Sequence, residues 1–330
     1  MNVIQRPRAK EFCATMQDYI IDTDVSIAFA VKYGGKTILD EEYVPDKNNQ
    51  VVIRNLGKFC ELALWGVWCT GETSWQNDAA GTFSFLINGT VDASSYVIFS
   101  RMKTKKDAAI PGWLSEVNRK VTRTGCLEYV SILLAPALHV TVTGYSSDGS
   151  SATATLLDVP SSGSTAPATI DVSPSRIMSL VGIDIIRYLV TCNGYEYEFL
   201  IDNSKYLDVR LFRYKNVYDM PETLSAVGGL SISGNNESET ASMYGIDRKF
   251  GLKVSDEYTA NSGVIFLQSD YKLWHDMLNA QEVSVYQDGD WLPVIISKQK
   301  YERDKFANIL KSVEFTFRLA DPSQNNLLEL

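Results

Sequence analysis

Apolar and polar positions alternate at period two along most of the chain, and that pattern predicts strands. Ile27-Ala-Phe-Ala-Val-Lys-Tyr33 runs into Gly34-Gly35 and then Thr37-Ile-Leu39, a hairpin whose glycines suit the left-handed turn positions. Thr82-Phe-Ser-Phe-Leu-Ile87 ends at Asn88-Gly89, and Tyr96-Val-Ile-Phe99 follows. Between these, Asn55 to Trp65 repeats apolar residues at helical spacing and stops at Gly66. The middle of the chain has a similar order: Leu138-His-Val-Thr-Val-Thr143, a polar turn at Ser146 to Ser150, Ala152-Thr-Ala-Thr-Leu-Leu157, then a Ser/Gly/Thr/Pro-rich loop from Ser161 to Pro167.

Three short matches suggest an internal repeat. Tyr43-Val-Pro45 aligns with Asp158-Val-Pro160, Val51 to Arg54 with Ala168 to Asp171, and Thr82 to Asn88 with Glu196 to Asp202, at offsets of 115, 117 and 114 residues. The last third differs in character. Ser231 to Met243 reads as a mobile loop or a long hairpin tip, Asp270 to Leu278 as a short amphipathic helix, and Val283 to Ile296 as a hairpin turning at Asp288-Gly289. Ser312 to Leu319 alternates as a closing strand. The expected fold is therefore mainly β with a few short helices. It comprises two β-sandwich-like domains at 1–110 and 111–210, with the repeat as a candidate duplication, and a C-terminal α+β or meander domain at 211–330.

Composition narrows the chemistry. Of the 330 residues, 45% are hydrophobic and 22% charged, so the chain can bury ordinary cores. A net charge of -9 and pI near 4.9 give no general electrostatic reason to bind nucleic acid or an anionic membrane. The local exception is Arg101, Lys103, Lys105, Lys106, Arg119, Lys120 and Arg123, set against Asp107 and Glu116, which reads as a solvated connection between domains. Five scattered cysteines without a C-x-x-C fit reduced thiols. No apolar run reaches the roughly 18 residues of a membrane helix, and the first residues lack an apolar signal core, so synthesis in the bacterial cytoplasm without a signal peptide is expected.

Candidate chemistry is sparse. Only two histidines are present: His139 on a strand reads as a core or edge residue, His275 as a solvent-facing helix residue. No phosphate-binding, zinc or calcium motif appears, and Gly144 to Gly149 lacks the spacing of a nucleophile elbow. Glu196 and Glu198 share one face of a strand, roughly 7 Å apart at Cα. Glycosidase carboxylates span comparable distances but across a cleft, and a solvated strand face explains the pair. No catalytic, cofactor-binding or metal residue is assigned, and no cofactor is expected. Trp65, Trp68 and Trp75 cluster near a polar loop; the first two read as core, and Trp75 is the candidate for stacking on a sugar.

Two stretches carry a family resemblance. Ile38-Leu-Asp-Glu-Glu-Tyr-Val-Pro-Asp46 with Val51-Val-Ile-Arg-Asn-Leu56, and Leu211-Phe-Arg-Tyr-Lys-Asn-Val-Tyr-Asp-Met-Pro-Glu-Thr-Leu224 with Tyr258 to Gly263 and Glu314 to Ala320, resemble poorly characterised proteins encoded in the tail and baseplate regions of phages and prophages of gut bacteria. The resemblance implies a non-enzymatic virion protein that assembles as a homo-oligomer with other tail proteins. Its best-matching segment offers Phe212, Tyr214, Asn216, Tyr218 and Pro221 either as an interface or as internal packing. The alternative function is a carbohydrate-binding or adhesin-like module working through Trp75, with a glycan as partner.

Overall fold

A computed structural model describes residues 1–64, 73–110, 112–133, 138–159, 166–234, 237–253, 256–300 and 311–321. Trp65, Trp68, Cys69 and most of the Ser161 to Pro167 loop lie outside the described residues. The chain is mainly β. Its first part contains β1 (Asn2–Gln5), β2 (Lys10–Phe12), β3 (Tyr19–Asp22), β4 (Ile27–Tyr33), β5 (Lys36–Tyr43), β6 (Gln50–Ile53), α1 (Leu56–Ala63), β7 (Thr73–Trp75), β8 (Ala80–Ile87) and β9 (Thr90–Ile98). Strands β2, β9, β8, β4 and β5 form one sheet in that order; β1, β3 and β6 form another. The alternation places Ile27, Phe29 and Val31 of β4 inward, where Phe29 meets Tyr19 edge to face at 5.1 Å beside Phe83 and Phe85. Helix α1 sits close to the chain at Cys13: a Cβ on Gly57 would lie 1.8 Å from the Cys13 carbonyl oxygen.

The second part repeats the plan. It contains β10 (Gly112–Trp113), β11 (Arg119–Thr122), β12 (Tyr129–Leu133), β13 (Leu138–Tyr145), β14 (Ser151–Val159), β15 (Ala168–Asp171), α2 (Pro174–Val181), β16 (Arg187–Cys192) and β17 (Tyr195–Ile201). Its five-stranded order, β11-β17-β16-β13-β14, matches β2-β9-β8-β4-β5 position for position. In both sheets the leading strand runs parallel to the last one, while the other pairs are antiparallel. In both, the second hairpin turns on an Asn-Gly pair with positive φ, 49° and 80° at Asn88-Gly89 and 49° and 85° at Asn193-Gly194, the geometry a type I′ turn requires. Strand β7 of the first part crosses over to pair with β15.

Two of the three sequence matches fall on equivalent places: Val51 to Arg54 and Ala168 to Asp171 at β6 and β15, and the ends of β5 and β14. The third does not. It sets β8 against β17, whereas the shared strand order sets β8 against β16 and β9 against β17. Both hairpin strands carry alternating aromatics, so a short match cannot distinguish them.

The last part contains β18 (Arg210–Lys215), β19 (Pro221–Ala226), β20 (Leu230–Gly234), β21 (Glu237–Met243), β22 (Ile246–Lys253), β23 (Asp256–Asn261), α3 (Asp270–Leu278), β24 (Val283–Gln287), β25 (Asp290–Lys300) and β26 (Glu314–Leu319). Seven strands form a sheet in the order β19-β18-β24-β25-β26-β23-β20, with α3 against its apolar face through Leu273, Trp274 and Met277. The core runs without interruption from Trp113 in the second part to Leu319 in the last. A smaller apolar cluster holds Phe12 and Ile98 of the first part against Val217, Tyr218 and Met220 of the β18–β19 turn. Of the segment from Ser231 to Met243, residues 231–234 lie in β20 and 237–243 in β21, one arm of the hairpin with β22, which fits the hairpin expectation and not the loop. Its serines and glycine hide a strand that gains nothing from a core.

Because a methyl group at position 57 must displace backbone rather than a flexible side chain, Gly57→Ala is expected to cost at least about 2 kcal/mol. Chemical denaturation should show this as a lower midpoint with an unchanged slope. Gly149→Ala, whose Cβ meets nothing within 4 Å, carries only the cost of its positive φ and should lose less.

Candidate functional surfaces

The segment from Phe212 to Leu224 lies where the three parts of the chain meet. Phe212 and Tyr214 are 0% exposed, Asn216 2% and Tyr218 3%, and Pro221 is buried as well. Phe212 packs edge to face on Phe315 and Phe317 at 5.1 and 5.3 Å. Asn216 organises the β18–β19 turn: its side-chain oxygen accepts from Tyr218 and Met220 N–H at 2.9 and 3.1 Å, and its amide donates to the Leu114 carbonyl at 2.8 Å and to Glu222 at 3.0 Å. Tyr218 meets Phe12 at 5.6 Å and the Thr104 hydroxyl at 3.0 Å. What these five side chains touch is the chain's own interior.

Two of their polar partners, Leu114 and Thr104, come from the basic stretch. The sequence suggests a solvated connection there, and the structure corrects this: five of its cations, Arg119 with Glu198 among them, are drawn into ion pairs or enclosed contacts. Arg101 pairs with Asp276 of α3 at 3.1 Å and donates to the carbonyls of Lys215 and Asn279. The other Asp276 oxygen accepts from Val217 N–H at 2.9 Å. Lys106 leaves its stem in solvent but turns its ammonium inward, onto the carbonyls of Trp113 and Ser115 and over the Tyr218 ring. Lys120, 1% exposed, pairs with Glu128 at 2.6 Å and donates to the Thr223 carbonyl, while the Thr223 hydroxyl donates to Glu128 at 2.7 Å. Arg123 pairs with Asp202 at 2.8 Å and lies over Tyr206. Lys103 and Lys105 alone match the solvated reading, being exposed. Apart from Glu128, the acids that neutralise this stretch, Glu198, Asp202 and Asp276, are distant in sequence, which is why a local charge count misreads it.

Burial leaves its mark on these groups. Asp276 is pushed up to about 7 by desolvation, against the opposing pull of Arg101. Asp270, at the start of α3, rises to about 6 through burial despite a hydrogen bond from Val121 N–H. Desolvation lowers Lys106 to about 8, with Glu222 opposing.

The remaining candidates stay apart. Trp75 lies half-buried on β7 and packs against the large core. Glu198 is held by Arg119 and Arg187, the latter at 3.0 Å, and Glu196 is exposed. His139 is exposed 3.6 Å from Asp158, and His275 is exposed on α3. Among the described residues, no three His, Cys, Asp or Glu side chains converge as a metal site, and no helix is long and apolar enough to cross a membrane. A cleft of about 550 Å³ runs beside the seam, with Phe12, Ile110, Trp113, Tyr195 and Glu196 among its walls. The β21–β22 ribbon, whose first strand falls within the Ser231 to Met243 segment, stands out by exposure: every residue from 237 to 251 is exposed.

The raised carboxyls give the seam a pH signature. Asp276 and Asp270 hold a proton more tightly folded than unfolded, where a carboxyl titrates near 3.9. Their contribution to stability is therefore full below about pH 4 and is lost as pH rises through about 6 to 7. The unfolding temperature should be higher at pH 5 than at pH 8, and Asp276→Asn should narrow that difference. A difference of the same size in the variant would remove Asp276 as a cause.

No protein-family model matches the sequence, and no curated protein matches it. Solved structures give partial likenesses. A chain from the tail of an empty gene transfer agent particle with C6 symmetry is 18% identical over 34% of this chain and 90% of that one, with a TM-score of 0.25. A chain from the virion of a native gene transfer agent particle is 19% identical over 34% and 91%, with a TM-score of 0.24. Likenesses this slight carry no argument about structure or role.

Proposed function

We propose that the chain is a non-enzymatic structural component of a phage or prophage tail, at its baseplate end, and that it acts by assembling with copies of itself and with other tail proteins. The observation that carries this reading is β14. It is a nine-residue strand at the edge of its sheet, and its residues 151–157 bear no charge. A long uncharged edge presents unpaired backbone groups that favour strand addition unless a neighbour covers them. The corresponding edge of the first part, β5, carries Lys36, Asp40, Glu41 and Glu42, the charges that ordinarily discourage such pairing. The two repeated sheets thus differ where they could meet a neighbour, one edge blocked and the other open. The sequence resemblance to tail-region proteins supplies the biological setting. Trp75 gives the glycan-binding alternative little surface, because its ring packs on the core.

Immunogold labelling of particles induced from the encoding strain, with antibody raised against this chain, tests the setting. Label at the tail is expected; particles free of the chain by both labelling and mass spectrometry would overturn it. Placing a charge in the open edge by Thr155→Lys, where Thr155 is exposed, should weaken assembly with little loss of unfolding temperature.

A further inference from the structure

The β21–β22 ribbon is built in a way the chain itself does not use. Its register pairs Met243 with Ile246, Ala241 with Arg248 and Glu239 with Phe250, so the large apolar side chains share one face, interrupted there by Glu239 and Arg248. The opposite face carries the pairs Thr240 with Lys249 and Ser242 with Asp247. Met243, Ile246 and Phe250 are 55%, 61% and 49% exposed. A two-stranded hairpin is marginal in water by itself, and this one leaves its apolar face open.

The turn at its tip adds an independent sign. Tyr244 and Gly245 have φ of 54° and 77°, a type I′ pattern in which Asn, Asp or Gly ordinarily takes the first place. A tyrosine there bears about 1–2 kcal/mol of backbone strain. Its ring is 94% exposed, so packing within the chain does not offset that strain. Strain of this kind persists where a residue serves a contact.

Charge indicates what the ribbon meets. The charged residues of β21 are Glu237 and Glu239, whereas β22 sets Arg248 and Lys249 beside Asp247. Pairing β21 with β21 of another copy would bring carboxylates together, and pairing β22 with β22 would bring cations together. β22, which carries more cations than acids, against the purely acidic β21 is the arrangement that best joins opposite signs, and like charges placed opposite each other across strands are destabilising.

We propose that the ribbon is a self-assembly arm, the outer edge of β22 in one copy pairing with the outer edge of β21 in a second copy of this chain. The proposal deepens the assembly reading by naming one partner and one contact. Such a head-to-tail contact is heterologous: it builds a ring where the repeated rotation closes and a helical filament where it does not. Edge pairing lies in the plane of the ribbon, so it would set the Met243, Ile246 and Phe250 faces of adjoining ribbons side by side in one sheet.

Sedimentation velocity of the full chain over a range of concentrations tests this with two charge-reversed forms. Arg248→Glu with Lys249→Glu makes both edges acidic; Glu237→Lys with Glu239→Lys makes both basic. The unaltered chain should self-associate, and each variant alone should associate at least about tenfold more weakly, as like charges across the contact imply. An equimolar mixture of the two variants should recover association. A chain that stays monomeric at every concentration, variants that associate as before, or a mixture that stays dissociated would each overturn the proposal. Equal unfolding temperatures confirm that the exposed substitutions leave the fold intact. Absence of the chain from particles would remove the tail setting and leave these results standing.

Discussion

A buried ammonium joins two sheets of this molecule. Lys120 leaves β11 of the second repeat, meets Glu128 of the same repeat, and donates to the Thr223 carbonyl in the seven-stranded sheet. Removing a cation and a carboxylate from water costs several kcal/mol each, repaid only when geometry and further hydrogen bonds are good. Here the Thr223 hydroxyl supplies one of those bonds to Glu128. Nearby, Glu222 gathers Ser115 and Asn216, and Asp276 gathers Arg101 and Val217 N–H. The contacts Arg101–Asp276, Ser115–Glu222, Lys120–Thr223 and Thr223–Glu128 join residues 101–128 to the last part of the chain. That shared seam specifies how the repeats sit against the seven-stranded sheet, which apolar packing alone would leave less sharply defined.

The strand order shared by the first two parts serves two ends. In the first copy the leading strand also buries a charge, Glu11, 4% exposed, but its carboxylate accepts from Arg8 and Gln17 N–H at 2.6 and 2.8 Å and so closes its own local loop. In the second copy the buried charge reaches outward to another sheet. The same strand order thus supports one unit with its own core and another whose core merges with the last sheet.

Much of this was legible in the sequence. Hairpins announced by Asn88-Gly89 and Asp288-Gly289, and the helix from Asp270 to Leu278, follow from turn geometry and spacing, which are local properties. The β21–β22 ribbon was legible only as one of two alternatives, a mobile loop or a long hairpin tip, because its strands bury nothing and so lack a sided apolar pattern strong enough to outweigh their serines and glycine. The candidate surface at Phe212 to Pro221 could not be told from core, since a strand buried on both faces and an aromatic interface look alike in one dimension. The basic stretch misled for the opposite reason: Asp276, Glu222 and Thr223 lie about a hundred residues or more beyond it, and only the fold brings them near.

A double-mutant cycle on Lys120 and Glu128, read by equilibrium denaturation at neutral pH, tests most directly whether the seam holds the molecule together. Lys120→Met and Glu128→Leu should each cost about 3–5 kcal/mol, because each leaves the other group buried without its partner. The pair of substitutions together should cost much less than their sum, giving a coupling of a few kcal/mol. Strictly additive losses, or single losses within about 0.5 kcal/mol of zero, would show that apolar packing alone sets the arrangement.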